Sequence, residues 1–256
     1  MSNIQETYVN SILELSLNLG EGNGFTVPGF AAFEAALTKG AAMPDIRALI
    51  ITSALPDTFS NGLNPNAVHG QPIEQIEKLI GHFFAVLKAI HTFPVPVVAA
   101  INGHAIGYGA MVGLMSDFRL IVDKGARVSF PELNIGISLP SFVTLSLQDL
   151  VGIRVTRDLL FSGLAPKPPE ALEIGLVDEL VEKEKLMDRA RQLAKRLAAL
   201  PRNAVRSQKE ISRWRFDLDL DAMLERDRAS TLKLLGSAEA MEGFAALVEK
   251  RRPRFD

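Results

Sequence analysis

The chain has no cysteine among its 256 residues. Disulfides, thiolate nucleophiles and cysteine-held zinc or iron–sulfur centres are therefore excluded. It also lacks a surplus of either charge: 28 Lys+Arg stand against 30 Asp+Glu, a formal net charge of −2. Binding nucleic acid by bulk charge needs a basic face that neutralises phosphates, so no nucleic-acid partner is expected. Apolar runs are short. The longest, such as residues 95–101, fall far below the ~20 residues that cross a bilayer. The first ten residues carry none of the Lys or Arg that opens a secretory signal, and the final Arg-Arg-Pro-Arg-Phe-Asp is not a peroxisomal address. The expectation is a soluble, cytoplasmic protein with no membrane partner. Two catalytic signatures are missing as well. His69, His82, His91 and His104 include no HExxH pair, and there is no Gly-x-Ser-x-Gly elbow. Neither a zinc-protease site nor that type of serine hydrolase is supported, and no metal is expected.

What is present looks globular. Hydrophobic residues make up 47% and charged residues 23%, which rules out disorder as the main state. Up to about Asp178, short β-rich runs alternate with helical patterns. From about Glu182 onward the pattern is helical and charged, so we divide the chain into a core at 1–181 and a helical region at 182–256. Residues 7–17 alternate imperfectly and read as one strand. Thr26 reads as a helix cap, with Pro28 in the first turn and Phe30, Phe33, Ala36 and Leu37 as the apolar stripe. Residues 48–52 and 95–101 are almost continuously apolar, as strands covered on both faces are. A long helix is predicted over 72–92, a short apolar helix over 107–115 and a third strand over 118–122. Strand–helix–strand alternation implies parallel pairing.

Two segments could carry chemistry. Thr58-Phe59-Ser60-Asn61-Gly62-Leu63-Asn64 follows the first buried strand, and Asn102-Gly103-His104-Ala105-Ile106-Gly107-Tyr108-Gly109-Ala110 follows the second. Ligands of open α/β sheets sit at the carboxyl ends of strands. The second segment runs directly into a helix, whose first N–H groups lack partners and suit an anionic oxygen. Two such N–H groups converging on one oxygen would make an oxyanion hole. On composition alone, the glycines could equally serve only tight turns and close packing. The second segment has neither a P-loop ending nor the third glycine of a dinucleotide fingerprint.

The strings FSNGLN, INGHAIGYGAMVGLMSDFRLI, FPELNIGI and SGLAPKPPEALEIGLVDELV resemble, in this order, the crotonase (enoyl-CoA hydratase/isomerase) superfamily. The corresponding stretches there look like FSAGAD, NGxAxGGGxxLxxxCDxRI, FxxPExxxGxxP and LTGxxxxAxEAxxxGLVxxVV. The resemblance extends from about Ile12 to Phe255, and ALVEKRRPRF resembles that family's closing segment. It implies an α/β fold with a crotonase-like ββα spiral core and a helical C-terminal trimerisation region. It also implies an acyl-CoA thioester as substrate, no cofactor beyond the coenzyme A carried by that substrate, and a homotrimer or dimer of trimers. Carried over residue by residue, the oxyanion donors are the backbone N–H groups of Leu63 and Tyr108. Ser60, Asn61, Gly62, Asn64, Gly107, Gly109, Met111, Pro140 and Lys250 become substrate-binding candidates, with Lys250 and its neighbours meeting the CoA phosphates or serving only as solvated charges. Asn64 stands where the family has Asp, which is expected to alter hydrogen bonding in that loop.

The carboxylates separate the family's chemistries. Hydratases there use two Glu residues. One position is Met111 here, whose thioether cannot exchange a proton; the other is Glu132. A further carboxylate used by dienoyl-CoA isomerases falls at Pro140. Taken alone, Glu132 beside Pro131 could be a solvent-facing strand end. With the resemblance it becomes the one candidate acid/base, a pattern similar to that of the 3,2-trans-enoyl-CoA isomerases. Isomerisation of 3-enoyl-CoA to 2-trans-enoyl-CoA by a single Glu is therefore expected. Alternatives are a crotonase-type hydratase, another acyl-CoA enzyme, or a catalytically silent acyl-CoA-binding homologue. Asp117 and Arg119 read as a buried pair. Met111, Met115, Phe84 and Phe142 could line an acyl tunnel or be plain core. His69 could line an acyl pocket.

Overall fold

The computed structural model describes residues 3–255. Its main sheet has six strands, ordered β1-β2-β3-β5-β7-β9. β1 (Asn3–Val9) and β2 (Ile12–Asn18) form an antiparallel hairpin. The single strand expected over residues 7–17 is therefore two. Asn10 and Ser11 both have positive φ, 52° and 63°, the requirement of a tight two-residue hairpin turn. Alternating apolar residues on either side mask that turn in the sequence, although Asn is a residue that tolerates the conformation. β3 (Ala48–Ser53), β5 (Val97–Ile101), β7 (Phe118–Val122) and β9 (Glu179–Val181) all pair parallel. Every residue of β3 and β5 is buried, as their continuous apolar character requires for a sheet covered on both faces.

A second, three-stranded parallel sheet supplies the other strand of each ββα unit, although its strands were not read from residue patterning. It consists of β4 (Thr58–Ser60), β6 (His104–Ile106) and β8 (Val128–Ser129). Each of these strands comes shortly after β3, β5 or β7, and so lies past their carboxyl ends. β4 and β6 then lead into the helices α2 (Ile73–His91) and α3 (Tyr108–Met115). β8 leads through a 3-10 turn, Glu132–Ile135, into α4 (Ser141–Ser162). The unit strand–strand–helix thus occurs three times in succession, the spiral that the resemblance implied. Ahead of it, α1 (Val27–Ala41) starts at Thr26, whose Oγ1 accepts the N–H of Gly29 at 3.3 Å. α5 (Pro168–Glu173) precedes β9.

Beyond β9 the chain is helical, as α6 (Leu186–Ala198), α7 (Arg202–Asp217), α8 (Leu220–Leu235) and α9 (Ala238–Val248). α9 lies backbone to backbone on the segment after β8. A Cβ added to Gly243 would sit 2.1 Å from the carbonyl oxygen of Ile135, and one on Gly136 would sit 2.7 Å from the carbonyl carbon of Glu239. Met111, Met115, Phe84 and Phe142 all belong to the one continuous core.

Asp117 and Arg119 are not a pair. The Arg119 guanidinium meets Asp178 at 2.9 Å, while Asp117 receives Lys209 and Arg213 of α7, each at 2.6 Å, and the N–H of Val97 at 2.7 Å. Each side chain takes partners from distant segments instead, and Arg119 reaches Asp117 only at its main-chain carbonyl, at 3.3 Å. Lys209 also donates to the carbonyl of Val95 at 2.9 Å. This ion cluster fastens α7 to the start of β5. Truncating one member of such a cluster leaves buried cations unpaired, which typically costs about 3–5 kcal/mol. Asp117→Ala should therefore lose about that much stability in chemical unfolding; a loss below about 1 kcal/mol would show that α7 is held by packing alone.

Candidate functional site

The first loop is held by a buried asparagine. The Asn23 side chain accepts the N–H of Leu19 at 2.8 Å, and donates to Ser53 Oγ at 2.7 Å, Phe59 O at 3.1 Å and Leu17 O at 3.2 Å. It thereby joins the carboxyl ends of β2 and β3 to β4. Ser60, fully buried, donates its Oγ–H to the Asn23 carbonyl at 2.9 Å, and Ser60 Oγ accepts the N–H of Gly62 at 3.1 Å. The Asn61 N–H reaches Gly22 O at 2.8 Å. Phe25 then lies alongside Leu63 as a parallel bridge: Phe25 N–H donates to Gly62 O at 2.8 Å, and Asn64 N–H to Phe25 O at 2.9 Å. Successive N–H groups of an extended segment point to opposite sides. With Asn64 turned toward Phe25, the Leu63 N–H faces away, and it donates no hydrogen bond among the described residues. Asn64 Oδ1 accepts the N–H of Asn66 at 3.0 Å and so caps the short turn that follows.

The second loop comes against the first through main-chain atoms. Gly107, at φ 53° and ψ −118°, sits in a region open essentially to glycine alone. Its N–H donates to Ser129 O at 2.8 Å, tying it to β8. That conformation starts α3 at Tyr108, whose N–H is the first of the helix's orphan donors and is unbonded among the described residues. A Cβ on Gly62 (φ 88°) would lie 2.9 Å from Ile106 O and 3.0 Å from Tyr108 N. One on Gly109 would lie 2.4 Å from Ser60 O. The Leu63 peptide therefore stands beside the Tyr108 peptide, each with a free N–H.

Glu132 opens the turn after β8, and it is 6% exposed. Its Oε1 is 3.2 Å from where a Cβ on Gly107 would be, so the carboxyl group packs on the residue that precedes the Tyr108 donor. Oε2 is buried without a partner among the described residues. Burial pushes the carboxyl pKa up to about 8, partly opposed by a hydrogen bond from its own backbone N–H. Met111 is buried one helical turn beyond Gly107, its N–H bonded to Gly107 O at 3.0 Å. It brings an apolar thioether there.

Of the candidates, Ser60, Asn61, Gly62, Leu63, Asn64, Gly107, Tyr108, Gly109, Met111 and Glu132 thus fall in one contiguous region. Pro140 is buried immediately before α4, where Asp227 accepts Ser141 Oγ–H at 2.7 Å and Phe142 N–H at 2.8 Å. Lys250 is exposed just after α9, in a left-handed conformation with φ 54°. Its neighbour Arg251 is engaged by Glu242 and Glu249. His69 is exposed. Asn23 and Phe25 were missed. Glycine-rich residues 20–24, at the carboxyl end of β2, carried the same signal as the other two loops.

The chain matches the enoyl-CoA hydratase/isomerase family over residues 8–256, and it belongs to that family. A carnitinyl-CoA dehydratase from Salmonella arizonae is 31% identical over 248 residues, covering 95% of this chain and 94% of the relative. An enoyl-CoA hydratase/isomerase structure from Pseudoalteromonas atlantica superposes with TM-score 0.86 at 29% identity, covering 99% of this chain and all (100%) of that one. The human mitochondrial delta3-delta2-enoyl-CoA isomerase has TM-score 0.89 at 21% identity, covering 97% of each chain, and shares the fold. The fold class is therefore that of the crotonases, and an acyl-CoA thioester substrate fits the family.

The raised pKa of Glu132 has a consequence for stability. The native state keeps a proton that the unfolded chain, with an ordinary carboxylate pKa, releases earlier. Stability contributed by the neutral carboxyl is present below the ordinary value and lost as pH rises toward about 8. Glu132→Gln, which mimics the neutral acid, should melt at a higher temperature than the parent at pH 9 and at a similar one at pH 4. Equal melting temperatures at both would contradict a raised pKa.

Proposed function

We propose that this protein shifts the double bond of a 3-enoyl-CoA thioester to give 2-trans-enoyl-CoA, with Glu132 as the only proton carrier. What carries the reading is a buried carboxyl beside two free backbone donors, with Met111 in the place of a second acid. The Leu63 and Tyr108 N–H groups would hold the thioester oxygen. Ionised Glu132 removes a proton from C2; the C–H electrons move to the carbonyl, giving a dienolate whose negative oxygen the two donors stabilise. Losing one donor of this kind costs about 10²–10³ in rate. The Glu132 carboxylic acid then delivers its proton to C4, the C3–C4 double bond moves to C2–C3, and the thioester carbonyl re-forms. A high pKa suits both halves, because the same group must be a competent base and then a competent acid. The coenzyme A is part of the substrate, and no further cofactor enters.

A second reading has its own support. The relative at 31% identity is named a carnitinyl-CoA dehydratase, which is hydratase-type chemistry. A single carboxyl could remove the C2 proton of a 3-hydroxyacyl thioester and pass it to the departing hydroxyl. Hydration ordinarily shares this work between two groups, and among the described residues Glu132 is the one carboxyl we assign to the site, so we favour isomerisation. Ile211 and Trp214 on α7, with Leu218 just after it, are exposed and are suited to contact a neighbouring subunit in the trimer or dimer of trimers inferred from the family.

Purified protein should convert 3-hexenoyl-CoA to 2-hexenoyl-CoA faster than it hydrates crotonyl-CoA or dehydrates a 3-hydroxyacyl-CoA. Removing a general acid–base typically costs about 10²–10⁴-fold, and Glu132→Gln should lose at least that much. Because the base must be ionised in the free enzyme, kcat/KM should rise with pH and level off above about 8. Dehydration outpacing isomerisation would instead establish the second reading.

A further inference from the structure

Neither proposed donor is a side chain, so the protein must aim both through the backbone. Phe25 reaches both. Its main chain grips the Leu63 peptide from two sides, through Phe25 N–H to Gly62 O and Asn64 N–H to Phe25 O, at 2.8 and 2.9 Å. Its ring, fully buried, meets the Tyr108 ring edge-on with centroids 4.8 Å apart. Tyr108 is itself anchored well beyond packing. Its hydroxyl donates to the Phe83 carbonyl in α2 at 2.9 Å, and its ring also meets Phe30 at 4.7 Å and Phe83 at 4.6 Å. Phe25 stacks on Phe30 at 4.6 Å, so the three elements α1, α2 and α3 share one aromatic cluster. An aromatic pair of this geometry is directional, and a side chain held at both its root and its hydroxyl cannot let the first turn of α3 rotate.

We propose that Phe25, with the Tyr108 side chain as its counterpart, is a positioning residue that holds the two backbone donors in register for one oxygen. The inference rests on the paired-donor reading of the site and extends it to side chains that never touch substrate. Donors act only when aimed where charge develops, and a displacement of about 0.5 Å is enough to weaken them.

The test reads the donors directly. Hydrogen bonding to a thioester carbonyl lowers its stretching frequency, so 2-hexenoyl-CoA labelled with carbon-13 at C1 is bound to each protein and its carbonyl band measured by infrared difference spectroscopy. In the parent protein the band should lie below its position in water. Phe25→Leu and Tyr108→Leu should lose much of that displacement, with kcat for the isomerisation falling about tenfold or more, as expected for a weakened donor, and KM little changed. Tyr108→Phe removes only the hydroxyl anchor and should show a smaller loss, which keeps the test valid if the larger truncations do not fold. Phe93→Leu, a buried aromatic change outside the cluster, should lower the melting temperature and leave the band where it was. Folded Phe25 and Tyr108 variants with the parent's full displacement would overturn the proposal. No displacement in the parent would overturn the paired-donor reading and this inference with it, whereas a displaced band together with absent isomerisation would overturn only the reaction assigned to Glu132.

Discussion

The site depends on main chain packed against main chain. The loop at 60–64 and the start of α3 approach so closely that a single Cβ on Gly62 or Gly109 would lie within 3.0 Å of the opposite backbone. Peptide groups are stiff, so contact at this range brings the Leu63 and Tyr108 peptides side by side, and the aromatic contacts around Phe25 and Tyr108 add to that constraint. The twofold use of glycine is therefore a matter of distance at Gly109 and of both distance and dihedral angle at Gly62. The same device recurs at Gly243, where α9 presses on the turn that carries Glu132. The helical C-terminal region thus reaches back to the acid, and the three loops that assemble the site are held by contacts that tolerate no added atom.

Around this frame the protein accepts an unfavourable group. A carboxyl that is buried, with one oxygen unpartnered among the described residues, costs stability whenever it is ionised. That cost is the origin of its high pKa, and in the proposed reaction it is what lets one group both take and return a proton. The surrounding core absorbs the cost: β3 and β5 are wholly buried, and the aromatic cluster beneath Tyr108 is continuous with them.

Much of this was legible in the residues, and the exceptions share a cause. Runs such as residues 48–52 and 95–101 announce buried strands because nothing but a doubly covered sheet needs so many consecutive apolar side chains. The glycine-rich loops announce themselves by composition and by position after strands, and the acid by its place in a family pattern. What escaped was decided by partners far away in the chain. The hairpin at Asn10 and Ser11 depends on two positive φ angles within an unbroken alternation. β4, β6 and β8 are too short to show a period. Arg119 meets Asp178 and Asp117 meets α7 because folding brings those segments together, which residue spacing does not encode. No pattern in the sequence marks Asn23 itself, yet its side chain is a four-bond hub.

The most direct measurement follows the proton itself. With 3-hexenoyl-CoA carrying two deuterons at C2, a single shielded carboxyl that takes the label and returns it should leave a measurable fraction of the 2-hexenoyl-CoA formed in ordinary water with deuterium at C4. Product that carries only solvent hydrogen at C4 from the first turnover onward would mean that a second group or bulk water completes the reaction, and would contradict the account of Glu132 as sole carrier.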